Sequence, residues 1–323
     1  MTASIESVLS VILLMSVGYA LHRRRIVNSE YAAMTSKVIL NVVLPAAVFD
    51  SAVRYLNPAL VSGLAGGVGY AAFAVALTYV VGYALMTATG VRRGRRGIFV
   101  MNAANANTVF VGLPVQLALF GRDTLPYFLA YYVVNTISTW AVGASLIAAD
   151  RPEGETPGAY PGFSFGKVFT PPLVGFLLGL VVMQAEVPVP DVLMKTCRYV
   201  GDAVTPLSLM YIGMMLSKAG LSSLAFDRET VTAHVGRFVL APVVMIATAV
   251  VGMETIGGVT AAEMEVFIVH SAGPSVAVLP ILAAEAKGDV AFATNLVTTS
   301  TILFAFAVPI VTAILPLLGL GNM

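Results

Sequence analysis

The apolar stretch NANTVFVGLPVQLALFG contains three polar residues, Asn105, Asn107 and Thr108, and then Gly112 and Pro114. A proline inside a helix removes a backbone hydrogen bond at a cost of about 3 kcal/mol, and lipid supplies no water to replace it. We therefore predict that a helix is interrupted at Gly112–Pro114 and that a second half-helix begins at Pro114. The polar residues beside such a break are candidates for binding a ligand.

The chemistry that this segment predicts is recognition of an anion. A half-helix that begins at Pro114 directs the N–H groups of Val115 and Gln116 into the break, where their positive partial charge favours a carboxylate. Asn107 supplies an amide that either contacts the ligand or forms a hydrogen bond between packed helices. Thr108 is a weaker candidate, because its hydroxyl can bond to its own helix.

A second segment, HSAGPSVAV, has the same character. Ser271 precedes Gly273 and Pro274, and a half-helix that starts after Pro274 would present the N–H of Ser275 to the break. Two such N-termini facing each other would concentrate positive partial charge. His270 is either a neutral core histidine or a proton-coupling group, since histidine titrates near physiological pH.

The spacing along the sequence also predicts where four further polar or charged residues and one proline lie. Asn41 stands one turn before Pro45 and either lines the site or packs between helices. Arg237 lies about two turns into a predicted helix, where it either snorkels to the interface or meets an anion entering from the cytoplasm. Asp50 and Arg54 have the i, i+4 spacing of an ion pair at the outer surface.

The composition is that of a polytopic membrane protein. The 323-residue chain is 58% hydrophobic and 11% charged, whereas a typical soluble domain is about a quarter charged. Its net charge of +1 gives no indication of nucleic-acid binding, and Cys197 is the single cysteine, which excludes a disulfide framework. The sequence has no P-loop lysine motif and no clustered metal ligands, so we expect no cofactor, no metal and no enzyme activity.

Ten apolar segments are long enough to cross a bilayer. The predicted helices are 5–21, 33–53, 59–87, 97–120, 124–148, 164–184, 198–217, 230–253, 262–285 and 289–317. The first span is followed by basic residues rather than preceded by them, unlike a signal peptide. Most of the 18 lysine and arginine residues fall in loops on the side of that first loop, which predicts that this side is cytoplasmic and that both termini lie outside.

The predicted helices divide into two sets of five. The division gives a first repeat, a cytoplasmic linker and a second repeat, over residues 1–149, 150–163 and 164–323. Pro45 and Pro206 are separated by the same number of residues as Gly112 and Gly273. Because five is odd, the halves would insert with opposite orientation, and inverted repeats with interrupted helices are typical of secondary transporters.

Several segments resemble one known family. NTVFVGLPVQLALFG is similar to the fourth-helix motif of the auxin efflux carrier family, which includes PIN-like and malonate-carrier-like transporters. NVVLPAAVF, TPPLVGFLLGL and TPLSLMYIGMML resemble that family's second, sixth and seventh helices. AGPSVAVLPILAAEAKGDVAFATNLVTTSTILFAFAVPIV resembles its ninth and tenth. The resemblance runs through essentially the whole chain in order.

The resemblance implies an all-α fold of ten helices in two inverted five-helix repeats, like the NhaA antiporter and bile-acid symporters. Helices four and nine would cross at broken points that contain Pro114 and Pro274. Helices one, two, six and seven would form a scaffold, often dimeric, and the remaining helices a transport domain that moves like an elevator. The family's substrate-binding asparagine maps onto Asn107. The short linker at 150–163 departs from plant members and resembles bacterial ones, whose cargoes are small carboxylates.

We therefore expect a carrier of malonate-like mono- or dicarboxylates in the cytoplasmic membrane. An indole-acid carrier is one alternative. A sodium-coupled symporter of the bile-acid type is another, for which Gln116 and Asn295 are the candidate ligands. Coupling to Na+ or H+ is left open. A receptor would need a signalling domain, and the loops are too short to hold one.

Overall fold

A computed structural model describes residues 2–150, 169–219, 224–255 and 259–320, and these residues are almost entirely helical. In chain order the helices are α1 (Thr2–Arg23), α2 (Ser29–Val38), α3 (Leu44–Tyr55), α4 (Pro58–Thr89), α5 (Arg96–Ala104), α6 (Leu113–Leu119), α7 (Leu125–Ser138), α8 (Ala144–Ala149), α9 (Pro171–Gln184), α10 (Asp191–Asp202), α11 (Val204–Ala219), α12 (Arg228–Val235), α13 (Ala241–Thr255), α14 (Ala261–Ser271), α15 (Leu279–Glu285) and α16 (Val290–Ile314). Beyond Asp150, the predicted linker and the predicted start of the sixth span lie outside the described residues.

Each of the ten predicted segments contains helix within the described residues. Six helical rods there are long and apolar enough to cross a membrane: Ser29–Tyr55, Leu60–Thr89, Leu125–Ala149, Asp191–Lys218, Arg228–Val251 and Val290–Leu318. Large apolar side chains such as Phe73, Val80 and Phe306 are mostly exposed on the outside of these rods. A multi-pass membrane protein explains both features, since lipid covers such side chains without penalty.

Three of the prolines sit in continuous helical rods because a wider turn precedes each of them. The π-helical turns Ile39–Val43, Thr108–Gly112 and Gly236–Leu240 are each followed, two residues on, by Pro45, Pro114 and Pro242. In each turn the N–H just before the proline bonds to a carbonyl five residues back. A π turn thus moves the helix past a residue that has no N–H to donate.

Close packing of two helix pairs depends on glycine. Gly18 of α1 and Gly213 of α11 lie against each other's helix backbone, at Met210 and Met15 respectively. In the second pair, a Cβ on Gly175 of α9 would stand 2.6 Å from the carbonyl oxygen of Pro45 at the start of α3. Small residues of this kind let helix backbones approach in membranes.

The helices pack in two groups. Helix α1 packs along α11, and α3 packs against α9 and α10. In the other group, α4 packs against α5, α7 and α13, while α14 contacts α7 and α13 and α16 contacts α12 and α15. Helices α6 and α16 contact α1 and α11 where the groups meet.

Ion pairs form two clusters at opposite ends of the bundle. The Arg95 cluster comprises Arg95, Asp227, Glu229 and Asp289, and it lies where α5 begins. The Arg122 cluster comprises Asp50, Arg54, Arg122 and Asp202, and it lies just after α6 ends. The predicted Asp50–Arg54 pair is confirmed at 2.7 Å, although Asp50 is only 1% exposed.

Candidate functional site

Two helical rods are interrupted near the middle of the molecule. The first break, Asn105–Asn107, separates α5 from the π turn that leads into α6, and Asn105 has an extended backbone there. The second break, 272–278, separates α14 from α15 and contains Gly273 and Pro274. Asparagine, glycine and proline all favour non-helical backbone, which explains the loss of helix at these points.

The two breaks meet side by side as a pair of very short extended segments, and the place where they meet is called the crossing. Ala106 and Ser275 form an antiparallel bridge, and the Asn107 N–H donates to the Pro274 carbonyl at 2.8 Å. The N–H of Ser275 donates to the Ser300 hydroxyl at 3.0 Å. Backbone groups that the helices no longer satisfy are thereby bonded without water, as a site at membrane depth requires.

On its other side, Ala106 is paired by the side chain of Asn135 from α7. The Ala106 N–H donates to Asn135 Oδ1 at 2.9 Å, and Asn135 Nδ2 donates to the Ala106 carbonyl at 2.9 Å. The side-chain amide therefore acts like a neighbouring strand. Asn105 is fixed by the Tyr79 hydroxyl, which donates to its Oδ1, and by the Ser138 hydroxyl, which accepts from its Nδ2 at 2.8 Å.

The predicted position of the first break is wrong. Gly112 and Pro114 lie inside continuous helix, because the π turn Thr108–Gly112 accommodates the proline, and the break falls before it at Asn105–Asn107. The N–H groups of Val115 and Gln116 therefore do not face the break. The second break does include Gly273 and Pro274, but the next helix begins at Leu279 rather than directly after Pro274.

Asn107 stands at the N-terminus of the resumed helix. Its side-chain Oδ1 accepts a hydrogen bond from the Phe110 N–H at 3.2 Å, and the residue is 8% exposed. Asn107 lines a cavity of about 360 Å³. A helix N-terminus, with its positive partial charge, thus opens onto a space large enough for a small ligand.

The wall of this cavity is mainly apolar. Its remaining lining residues are Phe110, Val111, Tyr211, Ile212, Met215, Leu216, Lys218, Ala277, Pro280, Thr294, Val297, Thr298 and Thr301. Lys218, at the end of α11, is the charged member of the lining. Lys218 and Thr294 lie at the same end of the bundle as the Arg95 cluster, so the cavity reaches toward that end.

An apolar cluster covers Asn107 from the opposite end. It consists of Val111, Val115, Leu209, Ile212, Phe304 and Val308, all buried. Val111 and Val115 belong to the same rod as Asn107 but lie further toward the Arg122 cluster. Val115 was predicted to be a site residue. It is instead packed in this cluster and is not part of the cavity wall.

His270 and Gln116 form a buried pair. His270 Nε2 lies 2.7 Å from Gln116 Oε1, and Gln116 Nε2 donates to the Thr124 hydroxyl at 2.7 Å. The His270 ring packs edge-on against Phe128, with ring centroids 4.8 Å apart. Gly112 lies beside this ring, where a Cβ would be 3.2 Å from His270 Nδ1. These residues lie together but do not line the cavity beside Asn107.

The hydroxyl groups that were predicted to bind the ligand form hydrogen bonds with protein groups at the crossing. Thr108 accepts from Asn135 Nδ2 at 3.4 Å, and the Ser271 hydroxyl donates to the Ile268 carbonyl at 2.7 Å. The Ser275 hydroxyl donates to Asn102 Oδ1, and Ser275 is 0% exposed. The structure brings these residues to the breaks but not to the cavity wall.

Asn41 and Pro45 lie away from the crossing. Asn41 is exposed, and its Nδ2 donates to the Lys37 carbonyl of its own helix at 2.8 Å. Pro45 packs against Gly175 of α9. Neither residue lines the cavity beside Asn107.

Arg237 is fully buried at the crossing, at 0% exposure. Its guanidinium donates to the carbonyl oxygens of Asn102, Ala103 and Ser271. The prediction that Arg237 snorkels to the interface is therefore wrong. Its alternative, contact with an entering anion, stays a prediction.

Sequence reasoning missed Asn102, Asn135 and Lys218. Asn102 donates to the Ala233 carbonyl at 3.1 Å and accepts from Ser275. The spacing of asparagines in NAANAN was a signal for this network, because three amides within six apolar-flanked residues need partners in lipid. Lys218 gave no such signal, since a lysine at a helix end is ordinary.

The fold and the site define a multi-pass membrane protein in which two interrupted helices meet at a polar centre. Residues 3–312 match the family described as membrane transport protein. The chain belongs to this family, the auxin efflux carrier family, and the sequence-based resemblance is thereby confirmed.

Two archaeal relatives match most of the chain. An uncharacterized transporter of Methanothermobacter thermautotrophicus is 25% identical over 315 residues, covering 97% of this chain and 98% of the relative. An uncharacterized transporter of Methanocaldococcus jannaschii is 23% identical over 292 residues, covering 84% of this chain and 85% of the relative. Family and relatives are transporters, in agreement with a chain that is not an enzyme.

Proposed function

We propose that this transporter moves small organic anions across the cytoplasmic membrane and binds them in the cavity beside Asn107. The observation that carries the proposal is the position of Asn107, at the N-terminus of the resumed helix and in the cavity wall. Because Oδ1 is occupied by the Phe110 N–H, the Nδ2 group is the donor that an incoming carboxylate would meet.

Two further features favour a negative charge on the cargo. The helix from Thr108 to Leu119 directs its N-terminal partial positive charge toward the break. Lys218 adds a full positive charge at the end of the cavity that reaches the bundle surface. A carboxylate entering past Lys218 would therefore meet favourable potential along the way to Asn107.

The apolar wall favours a cargo with an apolar body. Monocarboxylates of this kind fit the lining best, and malonate-like dicarboxylates would use Lys218 for their second charge. An indole acid is the second candidate, because the Phe110 and Tyr211 rings, 5.1 Å apart, offer an aromatic surface in the wall. The sodium-coupled alternative is less well supported, because Gln116 and Asn295 already bind protein groups.

For the mechanism we propose an elevator built from two inverted repeats, 1–149 and 164–323. The scaffold would consist of α1, α2–α3, α9 and α10–α11, and would form a homodimer. The transport domain would consist of α4–α8 and α12–α16 and would carry the crossing and Asn107. With the Arg95 cluster placed on the cytoplasmic side, both termini lie outside and the cavity faces the cytoplasm.

The test is ligand binding by purified protein, measured as thermal stabilisation. The panel comprises malonate, aliphatic monocarboxylates, indole acids and neutral amide analogues, each with sodium or choline as the cation. A ligand present at 100 times its dissociation constant adds about 2.7 kcal/mol of stability. We expect stabilisation by carboxylates and none by the amides.

The matched variants are Asn107→Ser and Asn41→Ser. Serine retains the helix-capping oxygen at position 107 but removes the amide donor, so folding should persist while carboxylate affinity falls about tenfold, the equivalent of one lost hydrogen bond to a charged group. Asn41 is the same residue type, exposed and remote from the cavity, so its variant should bind normally. Unchanged affinity in Asn107→Ser would refute the assignment of Asn107.

A further inference from the structure

The first halves of the two interrupted rods end close together. Helix α5 ends at Ala104 and α14 ends at Ser271, and the bridge between Ala106 and Ser275 holds these ends side by side. The last carbonyls of any helix lack intrahelical partners, and its C-terminus carries about half a negative charge. Two such ends in a dry interior would repel each other unless a positive group lies between them.

Counting the last four carbonyls of each helix, four of the eight accept from a nearby backbone N–H. In α14, the carbonyls of Ile268 and Val269 accept from the Ala272 N–H, and that of His270 accepts from Gly273 at 3.0 Å. In α5, the Met101 carbonyl accepts from the Asn105 N–H at 2.9 Å. The carbonyls of Asn102, Ala103 and Ser271 need other donors.

Arg237 supplies these donors. Its Nη1 donates to the Ala103 carbonyl at 3.0 Å and to the Asn102 carbonyl at 3.4 Å, and its Nη2 donates to the Ser271 carbonyl. A single planar guanidinium thus spans the ends of both half-helices. Its one positive charge is close in size to the two half-charges of the helix ends.

The neighbouring π turn places the side chain there. Arg237 is the second residue of the turn Gly236–Leu240, between α12 and α13. The residue is 0% exposed, and its Nε makes no hydrogen bond within the described part of the chain. The backbone carbonyls that Arg237 contacts thus belong to the two helix ends, and the side chain of Tyr131, in α7, also interacts with the guanidinium.

Transporters with broken helices commonly use such carbonyls for a different purpose. Unwound carbonyls and the C-terminal ends of half-helices coordinate the coupling Na+ or H+. We propose that Arg237 is a positioning residue whose guanidinium occupies the place of a coupling cation at the crossing of α5 and α14. The crossing is then assembled without a metal cation, and this chain moves its cargo without sodium.

This inference rests on the proposed function only in its statement about cargo, so its test has two arms. The first needs no substrate: thermal unfolding of the purified protein in sodium, lithium or choline chloride at equal ionic strength. Wild-type protein should unfold at the same temperature in all three salts. A saturable rise in the unfolding temperature with sodium or lithium would overturn the proposal.

Variants of Arg237 test the role of the positive charge. Arg237→Lys keeps the charge, and Arg237→Met removes it at similar side-chain length, so the lysine variant should be the more stable. A methionine variant at least as stable as the lysine variant would contradict a role in neutralising helix ends, and this is a demanding test because apolar replacements of buried ions are often neutral or stabilising.

Chemical rescue tests the position itself. Arg237→Ala leaves a space of the right shape, so millimolar guanidinium should raise its unfolding temperature. The matched control is Arg96→Ala, because Arg96 also donates to a backbone carbonyl, that of Val91, but on the exposed surface. Equal responses in the two variants would count against the proposal. Should Arg237→Ala not fold, the comparison of lysine with methionine decides.

The second arm is carboxylate uptake by proteoliposomes, with sodium or choline outside. Uptake by wild-type protein should be the same with either cation, and sodium-dependent uptake would overturn the inference. Absence of uptake for every carboxylate would be a failure of the proposed function, and the unfolding experiments would still give their result for Arg237.

Discussion

The Arg95 cluster and the Arg122 cluster use the same chemistry but join different parts of the molecule. Arg95 contacts Asp227, Glu229 and Asp289, which belong to the beginnings of α12 and α16. All these elements pack in the group that contains the crossing. Arg122 belongs to that group too, but its partners, Asp50 and Asp202, belong to the group of α3 and α10.

The Arg95 cluster holds helices of one group together, whereas the Arg122 cluster holds the two groups in one position relative to each other. The Arg95 cluster ties three rods whose relative positions an elevator movement would leave unchanged. The Arg122 cluster lies across the boundary between the groups, so the movement that we propose must break it. Ion pairs that are equally short can therefore have opposite effects on transport.

The largest effect should come from removing the buried carboxylate of the Arg122 cluster. Asp50 is 1% exposed and lies 2.7 Å from Arg54 and 3.2 Å from Arg122. Asp50→Ala removes the carboxylate that pairs with Arg54 and Arg122, so we expect a loss of about 3 kcal/mol in unfolding free energy. Asp202→Ala, at a carboxylate that is 57% exposed, should cost less than about 1 kcal/mol. Equal losses in denaturant titrations would disprove this ranking.

The next effect concerns access from the outside. Val115→Cys, in a background with Cys197→Ser, places a thiol in the apolar cluster that covers Asn107. Adding Arg122→Gln should increase its labelling by a membrane-impermeant maleimide several-fold, because the groups are then free to separate. Adding Arg95→Gln instead should leave labelling unchanged. The opposite pattern would reverse the roles given to the two clusters.

A smaller effect is expected on stability when the Arg95 cluster is opened. Arg95 is 13% exposed, contacts three carboxylates and lies 4.5 Å from the centre of the Phe292 ring. Arg95→Gln should lower the unfolding free energy by about 1–2 kcal/mol and leave carboxylate affinity unchanged. Arg96→Gln is the control, since Arg96 is exposed and should cost almost nothing. A loss of affinity in Arg95→Gln would show that this cluster acts on the site.

The smallest effect is a dependence on acid pH. Burial alone would raise the pKa of Asp289, but the Phe292 N–H and the Arg95 guanidinium hold it below the ordinary value, and the pKa of Asp227 is lowered in the same way by Thr230 and Arg95. Their contribution to stability is present at neutral pH and is lost as the pH falls below about 4. The unfolding temperature of Arg95→Gln should fall less over this range than that of wild-type protein. Identical pH profiles would contradict this.

Local spacing predicted much of the fold. Apolar length placed helix in every predicted segment, and the i, i+4 rule placed Asp50 beside Arg54. These properties depend on residues near one another in sequence, so a single segment contains the information.

The position of the first break depended on distant residues. Proline was expected to interrupt the helix at Pro114, but a π turn absorbs it, while Asn105–Asn107 is opened by Asn135 and by Pro274. Arg237 is similar, because its role exists only once α5 and α14 end at the same place. Neither arrangement is visible in a local pattern, although the asparagine-rich segment identified the correct region.

The π turns also set a rule for the length of these rods. Each turn holds one residue more than the regular helix would, and each residue corresponds to about 100° of rotation around the axis. Because the wider turn completes one revolution with that extra residue, deleting it from Thr108–Gly112 would restore a regular turn and leave Val115 in its apolar cluster. Pro114 would then meet the preceding turn without the wider geometry that accommodates it. A one-residue gap in such a turn should therefore be tolerated only together with replacement of the proline that follows it.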